Sequence, residues 1–223
     1  MPLNAGDMIG LAELDWAQVR GSYDQRKAVH RRAMVLLAGK KANAKLAFAE
    51  LVLGVSDPAG NFSASRHALG ERVLALNNNP VERIRDLAKR FTALKTAAKV
   101  PAMIRSAGLR YCQISVGSEV SCMVNPKVCW VANRRTIWAH LLWKHHGNTT
   151  KANQELALYR DDDTDSEMHY QNWGALHKEL ASSMPVLVER GAQAARSVGV
   201  AAGTLTYLWG DVVADGLYAE FHG

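Results

Sequence analysis

One stretch of this chain departs from the helical rhythm of everything around it. Cys112, Ile114 and Val116, then Val120, Cys122 and Val124, alternate with Tyr111, Gln113, Ser115, Ser121 and Met123. A period of two is the mark of a half-buried strand. A loop at Gly117–Glu119 pairs Val116 with Val120, Ile114 with Cys122 and Cys112 with Val124. That register keeps the apolar set on one face, and register follows the buried face. Asn125-Pro126 ends the second strand. The expected element is a β-hairpin.

On both sides the apolar spacing is helical. Leu11, Leu14 and Trp16 anchor a short arm, and a helix is expected from a cap at Asp24 to Ala38, with Val29, Ala33, Leu36 and Leu37 as its stripe. A second is expected at 43–54 and a third at Ser65–Leu76. Asn79-Pro80 with Glu82 opens the clearest helix, running to Ala98 and closed by Pro101. Beyond the hairpin, Asn133 caps a helix that ends at Gly147, and a short one spans Lys151–Tyr159. Helices follow at 166–183, 186–198 and 204–216, with Pro185 as the break between the first two. The expected fold is mainly α: a two-lobed helical bundle with one central β-hairpin. Residues 1–108 form a basic lobe, 109–132 the hairpin and connector, and 133–223 a second helical lobe.

Charge is divided along the same line. Up to Gly108 there are 17 Lys/Arg against 9 Asp/Glu; from Leu109 onward there are 10 against 12. A basic half suits a polyanion, and opposite halves suit contact between copies. No apolar run approaches the roughly 20 residues of a membrane helix, and the first residues do not read as an export signal. The expected location is intracellular or in a virion, with no membrane partner.

Motifs for chemistry are sparse. Cys112, Cys122, Cys129 and His140 are spaced by 10, 7 and 11 residues, without the close cysteine pair of a zinc knuckle. Asp161, Asp163, Asp165 and Glu167 open like a calcium loop, but Ser166 stands where such a loop needs glycine. His145-His146, Asn153 and His169 offer a metal-dependent nuclease arrangement. Residues 65–99 read as helix, turn and basic helix, with Arg83 and Arg85 placed for base edges. No catalytic set, metal site or cofactor is expected. The expected binding residues are Arg26, Lys27, Arg31, Arg32, Lys40, Lys41, Arg83, Lys89, Arg90, Arg134 and Arg135. Such a scattered basic surface contacts phosphates without reading sequence, and Tyr111, Trp130 and Trp138 are aromatic candidates for base stacking.

In layout and size the chain is similar to the coat proteins of flexible filamentous plant viruses, which have an α-helical core with a mid-chain β-hairpin. The resemblance implies single-stranded RNA held in a groove and polymerisation through terminal arms. Their Ala-Phe-Asp-Phe type motif is absent, and no residue is carried over. The expected function is non-enzymatic: a self-assembling coat or nucleocapsid protein on single-stranded RNA. The alternatives are a dimeric DNA-binding regulator using residues 65–99 and a nuclease using His145 and His146.

Overall fold

The computed structural model describes residues 10–159 and 167–222. Among them are eleven α-helices and no strand: α1 (Trp16–Ala38), α2 (Ala42–Val52), α3 (Phe62–Arg66), α4 (Leu69–Ala75), α5 (Pro80–Thr92), α6 (Val100–Ala107), α7 (Ile114–Val124), α8 (Arg134–Lys144), α9 (Thr149–Leu158), α10 (Glu167–Ser197) and α11 (Thr206–Phe221). The acidic run 161–165 lies outside the described residues.

The mainly α expectation holds, and the hairpin does not. The alternating stretch is α7, a helix at the centre of the molecule that packs against α1, α2, α3, α5, α6, α10 and α11. Every residue from Val116 to Val124 is buried. A helix covered on all sides has no polar face, so its 3.6-residue period never appears in the pattern. Its small residues let neighbours approach: a Cβ on Gly117 would stand 2.6 Å from the Ile104 side chain. Two of its hydroxyls are satisfied internally, Ser118 Oγ donating to Ser115 O at 3.2 Å and Ser121 Oγ to Ser118 O at 2.7 Å.

The first helix begins two turns earlier than expected. Asp15, not Asp24, is the N-cap, its carboxylate accepting from Gln18 N at 3.0 Å. Asp24 instead pairs with Arg20 one turn back. Arg31 and Arg32 therefore lie in the second half of α1, where the dipole favours cations. Leu11, Leu14 and Trp16 are buried as expected, with Trp16 stacked on Trp209 of α11 at 6.0 Å. First and last helices thus meet, and one buried cluster runs from Leu11 to Leu217.

Other boundaries shift for local reasons. The expected helix at 65–76 is two, α3 and α4, separated at Ala68 with its φ of 50°. Pro80 does occupy the first turn of α5, but Asn79 is left-handed and gives no side-chain cap, while Glu82 takes Lys45 at 2.7 Å. Pro101 opens α6 instead of closing α5. Pro185 lies inside α10 without ending it. It costs one backbone hydrogen bond, and the buried stripe Met184, Leu187, Gly191 and Ala195 continues beyond it. The cap at Asn133 is as expected: its Oδ1 accepts from Arg135 N and Thr136 N at 3.0 and 3.1 Å, and its own amide donates to Thr136 Oγ1. That capping box fixes the start of α8 and with it the positions of Arg134 and Arg135.

Candidate nucleic-acid interface

A cavity of about 660 Å³ opens where α3, α4, α8 and α10 converge. Arg66 and Arg72 stand on the α3–α4 side, and Arg134 and Arg135 on the first turn of α8. Aromatic rings fill the spaces between them: Phe62, Tyr111, Tyr159, Trp173 and Tyr218. Among the described residues, no Asp or Glu lines it. Arg66, Arg72 and Arg134 have no salt bridge among the described residues, and Arg134 Nε is buried without a hydrogen-bond partner. The guanidinium of Arg72 lies 5.7 Å from the Tyr111 ring centroid, a cation–π distance.

Behind the cavity lies a buried charge cluster. Arg26 is fully buried and ion-paired with Asp211, also fully buried. One turn along α11, Asp215 takes Arg135 at 2.9 Å. The Glu119 carboxylate, likewise buried, accepts from Phe62 N at 2.7 Å, Ser63 N at 3.1 Å, Ser63 Oγ at 2.6 Å and Asn133 Nδ2 at 3.0 Å. These bonds tie α3, α7 and α8 together at the cavity rim. The Phe62 ring is close to both cations, 5.1 Å from Arg26 and 5.5 Å from Arg135. Burial raises the Asp211 carboxyl to about 8 against the pull of Arg26, and the carboxylates of Asp215 and Glu119 push the same way. Burial raises Asp215 too, against Arg135 and Arg26. Burial opposes the charge on Arg26, but Asp211 and Glu119 more than offset it, so its pKa stands above the ordinary value.

The residues expected to contact phosphate scatter over the molecule. Arg134 and Arg135 line the cavity. Arg26 is a correction: it is sealed in the core with its charge matched by Asp211, beyond the reach of a polyanion. Lys27 is half-buried with its ammonium 5.8 Å from the Tyr23 ring. Arg31, Arg32, Lys40 and Lys41 are exposed on α1 and its connection to α2. Arg83 donates to Ala107 O and Asn78 O. Lys89 and Arg90 are exposed, Lys89 3.6 Å from Asp86 and Arg90 donating to Ser106 Oγ at 3.3 Å. Of the expected stacking residues, Tyr111 is in the cavity, while Trp130 and Trp138 are buried in the core. Arg66, Arg72, Phe62 and Trp173 are not legible in the sequence as site residues. Arg66 and Arg72 sit on a segment that reads as one plain amphipathic helix, and the break at Ala68 that places both on the cavity has no sequence signal.

The alternative chemistries find their residues occupied elsewhere. Among the described residues, no three of His, Cys, Asp and Glu gather as metal ligands. Burial raises the Cys112 thiol to about 12, raises Cys129 to about 11 and raises Cys122 as well, so none is poised as a thiolate. His140 Nδ1 is 3.0 Å from Ser183 Oγ. His145 is bonded to Glu155, which also takes Lys144, and Asn153 accepts from Trp138 Nε1 at 2.7 Å. On α5, Arg85 is buried and donates to Leu37 O and Gly39 O. With Arg83 bonded as above, both arginines expected to read bases are spent on backbone carbonyls.

With α7 helical, the layout likeness to flexible filamentous coat proteins keeps only its helical core. No family model matches the chain, and neither a curated protein nor a solved structure matches it.

Proposed function

We propose that the protein is a non-enzymatic, sequence-blind binder of single-stranded nucleic acid, with RNA favoured, that self-associates along the strand as a coat or nucleocapsid protein does. One observation carries the reading: four guanidiniums and five aromatic rings share a cavity in which no described wall residue is a carboxylate. Phosphates need the first and unpaired bases the second. The basic bias of residues 1–108 against the acidic bias beyond them supports contact between copies.

The test is fluorescence anisotropy with labelled single-stranded RNA of two unrelated sequences and with duplex DNA, over a salt series. The expected result is equal affinity for the two RNAs, weaker binding to duplex, and a log–log salt slope of about −2 to −3, from roughly 0.7 per phosphate contact on a single strand. Sedimentation with RNA should show assemblies of several copies. Absence of binding at low salt, or a preference for one duplex sequence, overturns the reading.

A further inference from the structure

The cavity walls differ in what they lack. Arg134 Nε and Trp173 Nε1 are buried donors without acceptors, while Arg66 and Arg72 are exposed cations without carboxylates among the described residues. An occupant that satisfies all four is rich in acceptors and multiply anionic. The volume falls within the roughly 300–1,000 Å³ of small-ligand sites, far too small for a duplex. The rings are not equivalent either. Tyr111 already has Arg72 at 5.7 Å and Arg110 at 5.6 Å from its centroid, so it is committed to holding cations. Among the described residues Trp173 meets one ring, His169, tilted by 32° at 5.5 Å.

Resting on the nucleic-acid reading above, we propose that the cavity is a socket for one unstacked nucleotide of a single strand. Its flanking phosphates lie between Arg66 and Arg72 on one side and Arg134 on the other, and its base lies against Trp173. Arg135, already tied to Asp215, closes the wall without giving up its own pair. The protein takes the nucleotide out of its stack, so the strand is gripped at intervals, and any base serves because every base has a π-face.

Trp173 makes this directly readable, because the other five tryptophans, at 16, 130, 138, 143 and 209, are all buried. Full-length protein is titrated with an oligouridylate of about eight nucleotides, a length in the range of single-strand site sizes. Binding is followed by both tryptophan fluorescence and anisotropy of a labelled strand. The expected result is saturable quenching with the same midpoint as the anisotropy. Trp173→Ala should abolish the quenching and weaken binding roughly fivefold or more. Arg66→Gln with Arg72→Gln, both exposed positions, should weaken it about tenfold or more and reduce the salt slope by about 1.4. Arg134→Gln should add to the loss, with thermal melts showing that each variant is folded. If the strand binds with unchanged affinity to the folded Trp173→Ala and Arg66→Gln/Arg72→Gln proteins, the socket is wrong while the binding reading stands. If the wild-type protein fails to bind the strand at all, the binding reading itself falls and the socket with it.

Discussion

Two kinds of arginine come together around Phe62, whose ring lies 5.1 Å from Arg26 and also lines the cavity. On one side Arg26 is sealed in the core against Asp211, with Asp215 and Glu119 close by. On the other, Arg66, Arg72 and Arg134 line an open cavity and have no carboxylate partner among the described residues. Arg135 belongs to both, paired with Asp215 yet present on the cavity wall. A guanidinium whose carboxylate comes from a distant helix is structural. One left without such a partner at a solvent-open wall is available to a ligand.

The largest expected effect is on the structural side. Arg26→Ala leaves Asp211 buried without its cation, and above about pH 8, where that carboxyl is charged, breaking the pair costs about 3–5 kcal/mol. The double variant Arg26→Met with Asp211→Leu should regain most of that loss, because it removes both charges together. Chemical denaturation reads both. A double variant as unstable as the single one would show that the cluster holds the fold by more than charge matching.

The same cluster makes stability depend on pH. The folded Asp211 carboxyl titrates near 8 and the unfolded one near its ordinary value of 3.8, so the folded state binds the extra proton between those values. Its contribution is complete below the unfolded value and is lost as pH rises through the folded one. His177 works in the opposite direction at lower pH. Burial lowers its pKa from 6.5 to about 4, so its contribution is present above 6.5 and is lost as pH falls toward 4. Between about pH 6.5 and 8 the Asp211 effect is free of that opposition, and unfolding free energy should fall as pH rises. Asp211→Asn should flatten this slope. An unchanged slope would assign it to another group, with Asp215 next in line since burial raises it too.

A third expected effect concerns α7. Gly117→Val forces a branched side chain onto Ile104, where even a Cβ would stand at 2.6 Å, and overpacking of this kind costs about 1–3 kcal/mol. In the expected hairpin Gly117 is the first loop residue, where an added side chain would point to solvent and meet no packed neighbour. A Gly117→Val protein as stable as the wild type would reopen the strand reading.

How much of this is legible in the sequence follows from which faces touch water. Helix α5, with one wet side, shows its period, while α8, buried over most of its length, is announced by its Asn133 cap. For α7 the period disappears because burial is uniform, and β-branched residues left in that uniform run imitate a strand. Helix α1 reads short because Asp24 looks like a cap, whereas the helix starts at Asp15, beside Trp16, which packs on Trp209 across nearly the whole chain. For the site, Arg134 and Arg135 are visible as an adjacent basic pair just after the central stretch. Arg26 misleads because its partner Asp211 lies 185 residues away. Arg66 and Arg72 stay hidden because their value comes from the neighbouring walls.

The smallest effect tests whether the outer cations on α1 join the cavity in binding. Arg31 and Arg32 are exposed and lie outside the cavity wall. Their attraction for a strand acts through solvent, where charges are screened beyond about 8–10 Å at physiological salt. Arg31→Glu with Arg32→Glu should weaken RNA binding only a few-fold at low salt, and the difference should shrink as salt rises. Cavity variants should keep most of their deficit, because they also remove hydrogen bonds at a partly enclosed site that screening reaches less. Stability should stay within about 0.5 kcal/mol of wild type, as for exposed positions generally. If the α1 pair proves as costly as Arg66 and Arg72 at high salt, the strand runs over α1 in direct contact, and the line drawn at Phe62 between structural and binding arginines has to be moved outward to include it.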